Sequence, residues 1–217
     1  MRPVGTLALF VCLLPGVGAG VPAHAGEDDS QRGTSSGQDA QAAKEAAEPD
    51  PPPPDIFAAA KSGNLKAVEK FLGDNPLLLN SKTALGDTPL HWAASCAHLA
   101  VVRFLLSKSP QVNAKNISGS TPLHIACRIA NKAIVELLIA AKADVNAKAE
   151  DEDDETPLHI AVRKNNTEIV ELLLKNHAAA EAKLQNGQTP MDLAAKNGRS
   201  GMIRLLKKYG AANDDDE

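Results

Sequence analysis

Three histidines stand where a metal centre could be imagined. His91, His124 and His159 are 33 and 35 residues apart, and each closes the same tetrad, Thr-Pro-Leu-His. Zinc needs its nitrogens about 2.0–2.1 Å from one ion. Equivalent positions in successive layers of packed helices stand about 8–10 Å apart. The spacing therefore predicts a structural role for the three rings. A second candidate is the run Glu150-Asp151-Glu152-Asp153-Asp154-Glu155. Six consecutive acids must be solvated or partnered, but the alternating ligands and mid-loop glycine of a calcium loop are missing. The run reads as a solvated tip, with contact to a basic partner or a cation as alternatives. Cys96 and Cys127 are the third candidate. A disulfide needs Cα atoms within about 7 Å, which adjacent helical layers rarely give, so two free thiols are expected with Cys127 buried. No H-E-x-x-H, C-x-x-C or phosphate-loop pattern occurs, so no catalytic residue, metal or cofactor is assigned.

The elements that hold these residues repeat. The tetrads begin at Thr88, Thr121 and Thr156, and an altered one, Thr189-Pro190-Met191-Asp192, follows, at steps of 33, 35 and 33 residues. Val102, Val135, Val170 and Ile203 keep the same steps, each preceding an apolar pair such as Leu137-Leu138 or Leu172-Leu173. Inside one unit, Thr can cap a helix whose first residue, Pro, lacks only an N–H that would be unpaired anyway. A short helix with a small Ala-Ala pair follows, then a break near Ala97-His98. A second helix runs from Leu99 to about Leu106 with its apolar positions three and four apart. A polar finger leads to the next Thr, with Gly86, Gly119 or Gly187 two residues before it. One such helix pair cannot bury its own apolar face, so stacking into a solenoid is required. Leu137, Leu138, Leu172 and Leu173 are expected between the layers, and Trp92 in the core.

This pattern resembles the ankyrin repeat over about residues 55–213. Asp55 to Leu72 looks like a starting repeat without its tetrad, and Asp192 in place of His, with Arg204, Lys207, Lys208 and Tyr209, marks a polar closing repeat. The resemblance implies an all-α ankyrin-repeat solenoid, a degenerate first repeat followed by four full ones. The boundaries are approximately 55–82, 83–115, 116–148, 149–183 and 184–213. It also implies that the tetrad histidines hydrogen-bond Thr and the turn backbone.

Composition bounds the rest. Aromatics are only 3% of 217 residues, so the core is built from Ala, Leu, Val and Ile. A net charge of −4 argues against a nucleic-acid binder. Residues 1–25 place Arg2 before an apolar run, Leu7 to Leu14, and end on Ala23-His24-Ala25. That order reads as a cleaved export signal, too short to span a bilayer. Residues 26–54 carry seven acids against two bases and end in Pro-rich sequence, and read as a disordered linker. The repeat domain then occupies 55–217. Asn116-Ile117-Ser118 and Asn165-Asn166-Thr167 match the glycosylation acceptor pattern, and a glycan at Asn116 would burden a binding finger, which favours a bacterial envelope address.

The function expected is an exported, non-catalytic protein-binding module, periplasmic or secreted and monomeric, with no membrane insertion after cleavage. It would grip another protein along the concave side of finger tips and first helices. Leu85, Cys96, Ile117 and Ile129 are apolar at positions the fold leaves free to be polar. Arg128 stands beside Ile129, and Arg163, Lys164 and Lys196 form a charged rim facing Asp153 and Asp154. An inhibitor or protective partner of an envelope enzyme, or a structural spacer, are the alternatives.

Overall fold

The computed structural model describes residues 55–150 and 154–213. The chain divides at Pro53/Pro54, and everything below concerns the second unit. The export signal, the linker and Asp153 lie outside the described residues.

Among the described residues ten α-helices run in five antiparallel pairs: α1 (Ile56–Ser62) with α2 (Leu65–Asp74), α3 (Pro89–Ser95) with α4 (Leu99–Ser107), α5 (Pro122–Arg128) with α6 (Lys132–Ala140), α7 (Pro157–Arg163) with α8 (Thr167–Lys175), and α9 (Pro190–Lys196) with α10 (Ser200–Asn213). A 3-10 turn, Pro76–Asn80, follows α2, and no strand occurs among the described residues. The odd-numbered helices stack on one another, and so do the even-numbered ones. The expected helix-pair solenoid is thus what the chain forms, with a first repeat capped by Asp55, whose carboxylate accepts from the Ala58 amide at 2.6 Å.

Each first helix is cut to seven residues by a left-handed residue beyond its C-terminus. Ala97, Ala130 and Asn165 take φ of 57–59° there, and Gly63 and Gly198 take the same region at the two ends. Short helices of this kind are not stable alone, and burial of one face holds them. Ala93, Ala94, Ala126, Cys127, Ala161 and Val162 are fully enclosed between first helices. Small side chains there let the layers approach closely. The second helices contribute Val101, Val102, Leu105, Ile134, Val135, Leu138, Ile169, Val170 and Leu173, all fully buried.

Two core expectations need correction. In each apolar pair only the second member is enclosed: Leu138 and Leu173 are buried, while Leu137 and Leu172 are half-buried. One step along a helix turns a side chain about 100°, and the buried stripe of each second helix runs through the second member of the pair, which leaves the first at its edge. Trp92 is also half-buried, lying on the rim of the stack beneath the Lys61 ammonium, 5.3 Å from its ring centroid.

Asparagines tie successive repeats together. Asn80, Asn113 and Asn146 accept through Oδ1 from the backbone amides of Gln111, Asp144 and Ala179 in the following repeat, each at 2.8 Å. Their 33-residue spacing was available in the sequence, but an isolated polar residue in a loop carries no apolar periodicity to single it out.

Candidate functional site

The tetrads build the junctions between layers. Thr88, Thr121 and Thr156 open α3, α5 and α7, and each forms a capping box with its histidine. The backbone N–H of Thr88 donates to Nδ1 of His91 at 3.1 Å, and the threonine hydroxyl lies 2.8 Å from the same nitrogen. Nδ1 is therefore an acceptor, which leaves Nε2 carrying the proton. Nε2 of His91 bonds the Ser120 carbonyl at 3.1 Å, and Nε2 of His124 bonds the Glu155 carbonyl at 3.0 Å. Each ring thus staples its repeat to the next. Nε2 of His159 faces the carbonyls of Gln188 and Ala182 without completing such a bond. Asp192 takes the Nδ1 part alone: its carboxylate accepts from the Thr189 amide and hydroxyl at 2.9 and 2.8 Å. Those bonds hold its pKa below the usual carboxylate value. Among the described residues α9 is the last first helix, and its Asp192 carboxylate, which can only accept, bonds Thr189 alone.

The histidines predict a pH response. Burial, the largest cause, lowers the pKa of His91 and His159 below the ordinary 6.5. Unfolded chains then bind more protons than folded ones below about pH 6.5. Stability should be full above that value and fall as the folded-state pKa values are approached. Urea melts at pH 7.5 and pH 5.5 should show a lower midpoint at the acid value, and an unchanged or raised midpoint would contradict the neutral-ring account.

Fingers connect the layers on one side. The amides of Thr83, Asn116 and Leu184 each donate to the carbonyl four residues on, and Ala149 does so six residues on, to Glu155. The two extra residues are therefore absorbed within the tip of the acidic finger. Asp154 fills the place of the missing glycine, with φ of 54°. Neighbouring fingers are in register: Ile117 donates to the Leu85 carbonyl at 3.0 Å and Glu150 to the Ser118 carbonyl at 3.1 Å. Lys115 and Glu150 add an exposed ion pair at 3.0 Å.

The sequence candidates fall into three places. Leu85 and Ile117 sit side by side on two finger tips, 50% and 69% exposed. Cys96 and Ile129 are the C-caps of α3 and α5, at the other end of those helices from the fingers. Ile129 is exposed, Cys96 is half-buried, and Arg128 is exposed beside Ile129. Seven residues at 1.5 Å each put about 10 Å between finger end and C-cap end. The structure thus pairs Leu85 with Ile117 and sets the other two apart from them. Arg163, Lys164 and Lys196 follow at the C-terminal ends of α7 and α9, and the Arg163 guanidinium is seated against the Glu155 carboxylate, whose side chain is only 6% exposed. Glu155 is therefore a buried ion-pair partner rather than part of a solvated run, and Asp154 is half-buried beside it.

Sequence reasoning missed Arg199. It stands where Asn131 and Asn166 cap α6 and α8, but it reaches back, as His98 does to the Lys61 carbonyl at 2.8 Å. Its Nη1 donates to the carbonyls of Val162 and Arg163 at the end of α7. A cation at the 33-residue step from Asn166 was the available signal.

Cys96 and Cys127 are not joined in a disulfide, and burial pushes the Cys127 thiol pKa up, away from reactivity. Among the described residues no group of three or more His, Cys, Asp or Glu could hold a metal ion, and no helix is long and apolar enough to cross a membrane. The Asn116 side chain is occupied, donating to Asp87 at 2.9 Å and accepting from the amides of Ser118 and Ser120. One Gly-x-Ser-x-Gly spacing, Gly33 to Gly37, occurs in the chain. It lies outside the described residues and lacks the flanking apolar strand and helix runs of a nucleophile elbow.

A family model described as ankyrin repeats (3 copies) matches residues 56–149 and 146–216. That span takes in all five helix pairs, their fingers and the staples between them. The chain belongs to the ankyrin-repeat family, whose repeats mediate protein–protein binding.

Proposed function

We propose that this protein is an exported, monomeric, non-catalytic binding module that grips one protein partner along the concave face of fingers and first helices. The observation that carries the reading is where the exposed large apolar side chains lie. Among the described residues these are Leu77, Leu85, Ile117 and Ile129, and three of the four sit on finger tips or first-helix ends. Exposed apolar groups concentrated on one face mark contact surfaces, and anchors of this kind carry most of the energy of an interface.

A pull-down from an extract of the protein's own compartment tests it. Ile117→Asp with Ile129→Asp should weaken capture of the partner at least tenfold, far more than Asp153→Ala with Asp154→Ala. The isoleucine variant should melt as the wild type does, since both replaced side chains are exposed. Equal capture by wild type and the double aspartate variant would remove this surface from the account.

The export address rests on Arg2, the short apolar run and Ala23-His24-Ala25. Mass spectrometry of the protein purified from its native source should give Gly26 as the first residue. A retained Met1, or a lipid on a cysteine, would contradict export by this route.

A further inference from the structure

The last two repeats hold a cavity of about 310 Å³, lined by Arg163, Leu184, Asn186, Gln188, Lys196 and Arg199 among others. Its volume is at the small end for ligand sites, enough for one side chain and its solvent. Its walls are cationic. Arg163 is held by buried Glu155, and Arg199 is held by two main-chain carbonyls of α7. Each guanidinium has five N–H donors, and these contacts engage Nη2 of Arg163 and Nη1 of Arg199. Both are thus fixed in place with donors to spare. Lys196 lines the cavity and Lys164, the neighbour of Arg163, lies outside the lining; both are exposed, and among the described residues neither has a carboxylate within 4.0 Å. The three lining cations, Arg163, Lys196 and Arg199, against Glu155 leave the cavity at a formal +2, although residues 55–217 as a whole are neutral.

Resting on the concave face as the binding surface, we propose that this pocket receives an Asp or Glu side chain from an acidic segment of the partner protein. Two pre-positioned guanidinium groups match a carboxylate by charge-assisted, bidentate bonding. Ile129 lies one repeat earlier, at the end of α5. Layers about 10 Å apart put it about 10–20 Å from the pocket, a span of roughly three to six residues of extended peptide. The segment recognised therefore carries an apolar residue and, three to six positions away, an acid. A nucleic-acid backbone suits the face less well, because its continuous charge would meet Glu150 and Asp154 on the neighbouring finger.

Selection of random dodecapeptides displayed on phage against residues 26–217 tests the proposal. Enriched peptides should share an Asp or Glu three to six positions from Leu, Ile, Val or Phe. Synthetic copies should bind at least tenfold more weakly to Lys164→Glu with Lys196→Glu, and as well as to wild type after Lys66→Glu with Lys70→Glu on α2. Enrichment without an acid, no enrichment, or binding indifferent to the Lys164 and Lys196 exchange would overturn the pocket assignment. So would tighter binding of a single-stranded oligonucleotide than of the acidic peptides. Loss with Ile117→Asp and Ile129→Asp, but not with the lysine exchange, would leave the concave-face reading standing and remove the pocket alone. Binding indifferent to both would remove both.

Discussion

Leu173→Ala is expected to lower the unfolding free energy by about 2–5 kcal/mol. The side chain is fully buried in the stack formed with α6 and α10, and its removal leaves a void that two flanking layers cannot both close. Leu172→Ala, one position earlier on the same helix, removes a half-buried side chain and should cost less than half as much. The pair is its own control, because helix propensity changes identically in both. In a solenoid each layer is stabilised through its neighbours, so the Leu173 variant should also broaden the transition. Equal midpoints in urea for the two variants would contradict the layer packing described above.

Gly119→Ala should cost about 2–4 kcal/mol, from left-handed backbone strain and a clash together. Gly119 has φ of 66°, and an added Cβ would lie 2.0 Å from the Glu150 amide nitrogen of the next finger. Gly187→Ala supplies the comparison: its φ is 81°, but an added Cβ there meets nothing within 4 Å. That variant pays the strain alone, about 1 kcal/mol. The difference between the two measures how closely the fingers of the third and fourth repeats are packed. If both substitutions shifted the midpoint equally, the close approach at Gly119 would be wrong.

Much of the fold was readable because each repeat states it again. The Thr-Pro pair marks every first-helix start from α3 onward, and the valine and leucine steps place α4, α6, α8 and α10. What could not be read was orientation within an adjacent pair. Leu172 and Leu173 are identical in type, and only the helix phase decides which one is enclosed. The role of Glu155 was hidden for a similar reason. Within six consecutive acids nothing in composition distinguishes the residue that turns inward to meet Arg163. The missing finger glycine did carry information, because Asp154 has to adopt the left-handed backbone in its place. Asp is among the residues that tolerate that region.

The candidate surface was legible residue by residue, but not as a map. Leu85, Ile117 and Ile129 were identifiable as apolar side chains in variable places, yet only the structure separates the finger-tip pair from the helix-end pair. Arg199 escaped notice because it occupies a capping position, where sequence logic looks for Asn or Ser. It reaches instead to the carbonyl end of the preceding first helix, a favourable place for a cation.

Photo-crosslinking at chosen positions tests the binding-face claim most directly. A photoreactive residue would replace Leu85, Ile117, Ile129 or Lys196 on the finger and first-helix side, and Lys70, Arg103, Glu136 or Lys175 on the second helices. All eight are exposed, so incorporation should leave the stack intact. Irradiation in extract should yield one shared adduct from the first four positions and none from the second four. A shared adduct arising mainly from the second-helix positions would place the partner on the opposite side and contradict the account.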